Sequence, residues 1–132
     1  MDTAIIISKK DPASLNIKKA LENYDLNKLN TKLYIIEKES IYTENIDKEI
    51  KADLFIFASK HKAESGIPAL TVHSPGNWNK AELGGKDNSL CIVPANYLKE
   101  ALIELNKLAP KNYKVTLETI HHGPYLEKPA MF

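Results

Sequence analysis

Leu54-Phe55-Ile56-Phe57, continued by Ala58, is apolar at every position. A strand that alternates polar and apolar residues can leave one face in water. A strand without polar residues needs cover on both faces, as in the middle of a sheet sandwiched between other layers. This stretch predicts a central strand over residues 53–58, and the rest of the chain must supply the layers around it.

The flanking patterns supply them. Thr3 to Ile7 reads as a short buried strand, Leu33 to Ile36 as a second, and Leu70–His73 and Leu90–Val93 as two more. Lys114 to Thr119 alternates as a half-exposed strand does. Asp11-Pro12 carries a helix start, with a carboxylate for free backbone N–H groups and a proline suited to the first turn. Ala13, Ile17, Ala20, Leu21 and Tyr24 then fall on one helical face, giving a helix to about residue 24. Leu98, Ala101, Leu102, Leu105 and Leu108 mark an amphipathic helix over 95–109, stopped by Pro110. A short helix over 43–50 is also expected. Strands alternating with helices predict an α/β fold with a mainly parallel sheet flanked by helices. At 132 residues without repeat or linker, the expectation is one domain over 1–132. The apolar close, Lys128-Pro129-Ala130-Met131-Phe132, reads as the amino-terminal part of something longer.

Charge and cysteine usage narrow the function. A formal net charge of +1 does not mark a general nucleic-acid binder, so an RNA partner must use a local basic patch, and no DNA partner is expected. Cys91 is the one cysteine, which rules out an intramolecular disulfide and a four-cysteine zinc site and suits a reducing cytoplasm. Met1-Asp2-Thr3 followed by the short run Ala4–Ile7 has the form of neither a signal peptide nor a membrane span.

Three polar clusters follow strand candidates, where sites of open α/β sheets collect. The first holds Ser59, His61, Glu64 and Ser65. Histidine titrates near neutrality and serves as base, acid or metal ligand, and Glu64 is close enough in sequence to orient it. A solvated loop is the plain alternative. The second is His73-Ser74-Pro75-Gly76-Asn77, a tight turn able to present N–H groups to an anion, or simply a turn. The third is His121-His122-Gly123-Pro124. Adjacent histidines on a strand face opposite ways, but in a turn both can face one site. His73, His121 and His122 with a carboxylate make a reasonable zinc donor set, although no His-Glu-x-x-His motif is present. Gly84-Gly85-Lys86-Asp87 imitates the end of a phosphate loop but lacks the glycine at position 80 and the Ser/Thr at 87. Cys91 reads as a packed small residue, and Trp78 as cover for the core edge rather than a base-stacking platform.

In order along the chain, Ser8-Lys9-Lys10-Asp11-Pro12-Ala13-Ser14, Ser59-Lys60-His61 with Glu64-Ser65-Gly66-Ile67-Pro68, Leu70-Thr71-Val72-His73 with Pro75-Gly76-Asn77, and Thr119-Ile120-His121-His122-Gly123-Pro124 resemble the archaeal and plant type of D-aminoacyl-tRNA deacylase. Members of that family are about twice as long, with a further motif in their second half. The resemblance implies a fold related to peptidyl-tRNA hydrolase and phosphorylase-like domains. It also implies an enzyme that hydrolyses the ester between a D-amino acid and the 3′ end of tRNA, in association with zinc. The implied catalytic set is His61, Glu64, His73, His121 and His122. The substrate-binding set is Lys10, Asp11, Ser14, Ser65 and Asn77, with His73, His121 and His122 as the metal ligands. In this reading His73 and one of His121 or His122 activate water, Glu64 orients a partner, and Lys10 meets the terminal adenosine or a phosphate. Two other readings stay open: a metal-assisted peptidase or amidase, and a non-catalytic domain that binds a tRNA end or a peptide.

Overall fold

The computed structural model describes residues 1–62 and 64–132. Four parallel strands form the main sheet in the order β2-β1-β3-β8: β1 (Thr3–Ser8), β2 (Thr31–Ile36), β3 (Leu54–Ala58) and β8 (Ala130–Met131). The all-apolar segment thus lies inside the sheet, with β1 on one side and β8 on the other. Alternation sorts its residues onto two faces. Phe55 and Phe57 pack with Ala4, Ile6, Cys91, Leu126 and Ala130 on one face. On the other, Ile56 joins Met131, Val72 and Leu98 under α2 (Ala95–Leu108). The expected α/β fold with a mainly parallel sheet is the fold observed.

Two small sheets accompany it. β4 (Ala69–Val72) pairs in parallel with β7 (Lys114–Leu117), and β5 (Gly76–Asn77) pairs antiparallel with β6 (Ser89–Leu90). The β4–β7 pair joins the main sheet through His73 and Phe132, whose backbones exchange N–H···O bonds of 3.3 and 2.8 Å.

Helix α1 (Pro12–Leu21) begins as its sequence dictates: the Asp11 carboxylate accepts the N–H groups of Ala13 and Ser14. It is shorter than expected, and its buried residue is Ser14, not an apolar one. The Ser14 hydroxyl accepts the Ser8 N–H at 2.9 Å, drawing the helix so close to β1 that a small polar residue is required. Ile17, on the expected apolar stripe, stays 39% exposed. Leu108 of α2 likewise lies in solvent.

Two further expectations give way. Over 43–50 there is a short 3-10 turn, Ile46–Lys48, in place of a helix, with another at Ser40–Tyr42 just before it. Asn45 takes a left-handed φ of 55° and donates its N–H to the Tyr125 carbonyl, which breaks any α-helical ladder there. Over 90–93 the strand stops after Leu90, because Cys91 N–H turns to the Pro75 carbonyl and the chain must enter α2. Cys91 is buried in the core, as expected of a packed thiol. Among the described residues no helix is long and apolar enough to cross a membrane.

Candidate active site

All four histidines of the chain collect at the carboxyl ends of β3, β4 and β7, three of them, His61, His73 and His121, against one carboxylate. His73 follows β4 and is 4% exposed. Its ring stacks on His121 at 4.2 Å and meets His122 edge-on at 4.8 Å, with His121 and His122 4.5 Å apart. His122 takes a left-handed φ of 46°, which lets two consecutive side chains turn to the same place.

The backbone decides which nitrogens are available. Nδ1 of His73 lies 3.1 Å from the Ser74 carbonyl, Nδ1 of His121 2.7 Å from that of Thr119, and Nδ1 of His122 2.6 Å from that of Gly123. A carbonyl only accepts, so each Nδ1 carries the proton, and in the neutral ring each Nε2 keeps a free lone pair. Burial pushes His73 down to about 4, helped by the nearby His121 and His61 and resisted by the bond to Ser74. Burial pushes His122 down to about 4 as well, against its bond to Gly123. Both rings are neutral at pH 7, as a base or a metal ligand must be.

Glu118, just past β7, ties the group together. Its Oε2 lies 3.9 Å from Nε2 of His73 and 3.7 Å from Nε2 of His121, while Oε1 lies 3.3 Å from Nδ1 of His61. Thr71 adds a hydroxyl 3.4 Å from that same Nδ1. One ligand atom from each of His73, His121 and His122 lies within 4.8 Å of the others. Nitrogens bonded to a tetrahedral zinc at about 2.0–2.1 Å stand about 3.4 Å apart. The set is a little wider than that. Its three Nδ1–H groups anchored on carbonyls are the outer partners that ligating histidines ordinarily have, and Glu118 lies on the Nε2 side of His73 and His121. These residues therefore suit zinc in number, type and tautomer.

The turn that carries His121 and His122 is fixed by glycines. Gly123 donates its N–H to the Leu83 carbonyl at 2.9 Å, and a Cβ on it would strike the backbones of Gly85, Gly84 and Ile41. The Glu44 carboxylate accepts the N–H groups of Gly85 at 2.5 Å and Tyr125 at 2.7 Å. The phosphate-loop look-alike at residues 84–87 is thus explained by packing: its glycines make room for the His-Gly-Pro turn.

Other expected site residues lie apart from the histidines or have backbone partners. Asp11 is buried, and besides capping α1 its Oδ2 accepts the Lys60 N–H at 2.8 Å, next to His61. Ser14 is held against β1. Asn77 is buried and donates from Nδ2 to the Gly84 carbonyl at 3.0 Å. Lys10 is exposed, and Glu64 and Ser65 sit exposed in a turn. Among the described residues, Glu118 is the carboxylate that reaches the histidines. Sequence reasoning missed it, as it missed Phe132, whose ring stacks on His73 at 5.3 Å and on Phe57 at 4.7 Å. Glu118 had one available signal: it lies three residues before His121, at the end of a strand.

A sequence model of the D-aminoacyl-tRNA deacylase family matches residues 48–132. The chain belongs to this family. It is 36% identical to the D-aminoacyl-tRNA deacylase of Thermococcus onnurineus, across 97% of this chain and 55% of that protein. It is 38% identical to the D-aminoacyl-tRNA deacylase of Picrophilus torridus, across 97% of this chain and 53% of that one. The crystal structure of a conserved protein of unknown function superposes with a TM-score of 0.84 at 26% identity, over 99% of this chain and 53% of the other. The chain spans about half the length of the curated deacylases it matches.

Proposed function

We propose that the histidine cluster is a hydrolytic centre for the ester of D-aminoacyl-tRNA, releasing the free D-amino acid and tRNA in the cytoplasm. The observation that carries this is the convergence of His61, His73 and His121 on Glu118, with His122 packed against His73 and His121. An aminoacyl ester is already activated, so the protein has mainly to hold a water, take its proton and stabilise an oxyanion. The Nε2 of His73 or His121 takes the proton from water. Water's oxygen bonds to the acyl carbon, the bond to the ribose oxygen breaks, and that oxygen receives the proton. The buried, neutral state of His73 and His122 keeps their lone pairs free for this work at pH 7. Glu118 orients His61 through its Nδ1. Were zinc bound, His73, His121 and His122 would hold it through those same Nε2 lone pairs, and its Lewis acidity toward water and the ester carbonyl would take the place of the imidazole base. Lys10 is exposed and near the β1–α1 turn, so its role at the tRNA 3′ end would be to meet phosphate or ribose.

Release of D-tyrosine from D-tyrosyl-tRNA by the 132-residue chain tests this, with L-tyrosyl-tRNA and a chelator as controls. Hydrolysis confined to the D-ester, lost in His73→Ala and reduced by chelation, is the expected result. Binding of tRNA without turnover by the well-folded chain would replace the reading with that of a binding module.

A further inference from the structure

A cleft of about 770 Å³ opens between α1 and β4, at the carboxyl end of β3. That volume lies in the range of small-molecule sites, roughly 300–1,000 Å³. Its walls are mostly apolar, with Ile17 of α1, Ile67 just before β4, Leu70 in β4 and Leu105 of α2 over a floor that includes Phe57, and Asn16, Ser59 and Thr71 among them. Ile17 and Ile67 keep 39% and 42% of their surface free.

Two features say what such a cleft takes. It is continuous with the histidine centre, because His61 and Phe132 line it while His61 touches Glu118 and Phe132 stacks on His73. Its rim carries Lys60 and Lys62, which form no ion pair among the described residues. An apolar chamber beside the hydrolytic groups, with two free cations at its mouth, matches a ligand with an apolar limb, a scissile carbonyl and a phosphate.

We propose that this cleft is the seat of the amino-acid side chain of the substrate, with Lys60 and Lys62 taking the phosphate of the terminal nucleotide. The inference rests on the deacylase reading and adds a preference for large apolar or aromatic side chains. It makes Ile17, Ile67 and Leu70 specificity-determining residues, since burial of apolar surface against them grows with the size of the side chain.

The probes are D-phenylalanine and glycine, each joined by a stable amide to 3′-amino-3′-deoxyadenosine 5′-phosphate, titrated into the full chain and followed by NMR. The expected result is that the D-phenylalanyl probe binds at least about tenfold tighter than the glycyl one and shifts the resonances of Ile17 and Leu70. Ile17→Trp should fill the cleft and weaken the D-phenylalanyl probe about tenfold, while changing the glycyl probe little. Ile67→Trp serves the same purpose should Ile17→Trp melt early, because both positions are exposed. Equal affinity for the two probes, indifference to both tryptophan variants, or no binding at about 1 mM overturns the inference. Hydrolysis of D-tyrosyl-tRNA is measured separately, so a working deacylase with an indifferent cleft sinks only this assignment, and a selective cleft without hydrolysis sinks only the other.

Discussion

Asp11→Ala separates structure from substrate contact at one carboxylate. Asp11 accepts three backbone N–H groups: Ala13 at 2.9 Å, Ser14 at 3.4 Å and Lys60 at 2.8 Å. Losing a helix N-cap costs about 0.5–2 kcal/mol. Leaving the partly buried Lys60 N–H without an acceptor adds about 1–3 kcal/mol. The sum is about 1.5–5 kcal/mol. At roughly 3–6 °C per kcal/mol for a chain of this size, thermal unfolding should fall by about 5–30 °C. Asp11→Asn is the sharper companion. Its amide oxygen can still cap α1, but its NH₂ would face the Lys60 N–H, donor against donor, so about half the loss should remain. Circular dichroism melts at neutral pH measure both. A carboxylate kept only for substrate would leave the melt of Asp11→Ala within about 3 °C of the parent, and that result would refute the structural accounting.

Acid should unfold the protein through its histidines. His73 and His122 stay neutral in the folded chain down to about pH 4 but protonate near the ordinary 6.5 when unfolded. Between those values the unfolded chain binds more protons, so stability should rise with pH by up to about 3 kcal/mol per histidine and level off above 6.5; chemical denaturation across that window checks it, and His73→Gln should flatten the slope. Gly123→Ala should lower stability by several kcal/mol, on the order of a severe overpacking substitution, because its Cβ meets three backbones at once; calorimetry reads it, and an unchanged melt would mean the 121–124 turn is free to move. Glu118→Gln should weaken zinc or cobalt binding about 10–100-fold, seen in the cobalt absorption spectrum, while leaving the fold intact; unchanged affinity would remove Glu118 from the site.

The strands were readable where burial writes itself into every residue, as in Leu54–Ala58, or where polar and apolar residues alternate in sequence, as in Lys114–Leu117. Asp11-Pro12 was readable because capping is local chemistry. The boundaries that failed depend on distant partners. Nothing near Asn45 announces that its N–H will be claimed by Tyr125, eighty residues on, and nothing near Ile17 says that Ser14 will take the buried position beside Ser8. The site divides the same way. The three histidine clusters stand out because polar residues after strands are conspicuous in one dimension. Glu118 does not, because its meaning comes from the three rings that surround it, supplied by β3, β4 and the turn after β7.

The exchange of backbone bonds between His73 and Phe132 makes a seam, and the histidine centre lies on it. On one side are the β4–β7 pair and the turn bearing His121 and His122. On the other are β8 and the central strand. The seam is also held by Val72 and Leu98 against Ile56 and Met131 and by the Ser74 hydroxyl on the Ala130 carbonyl, and any partial opening of the small sheet from the large one should run along it. Anything held jointly by His73, His121 and Glu118 clasps the small sheet, and contact with His61 extends the clasp across to the end of β3. Occupancy of the site should therefore register first as slower amide exchange in β4 and β7, with little change in β1. The centre would then act as a fastener for the weaker half of the molecule as well as a place for chemistry.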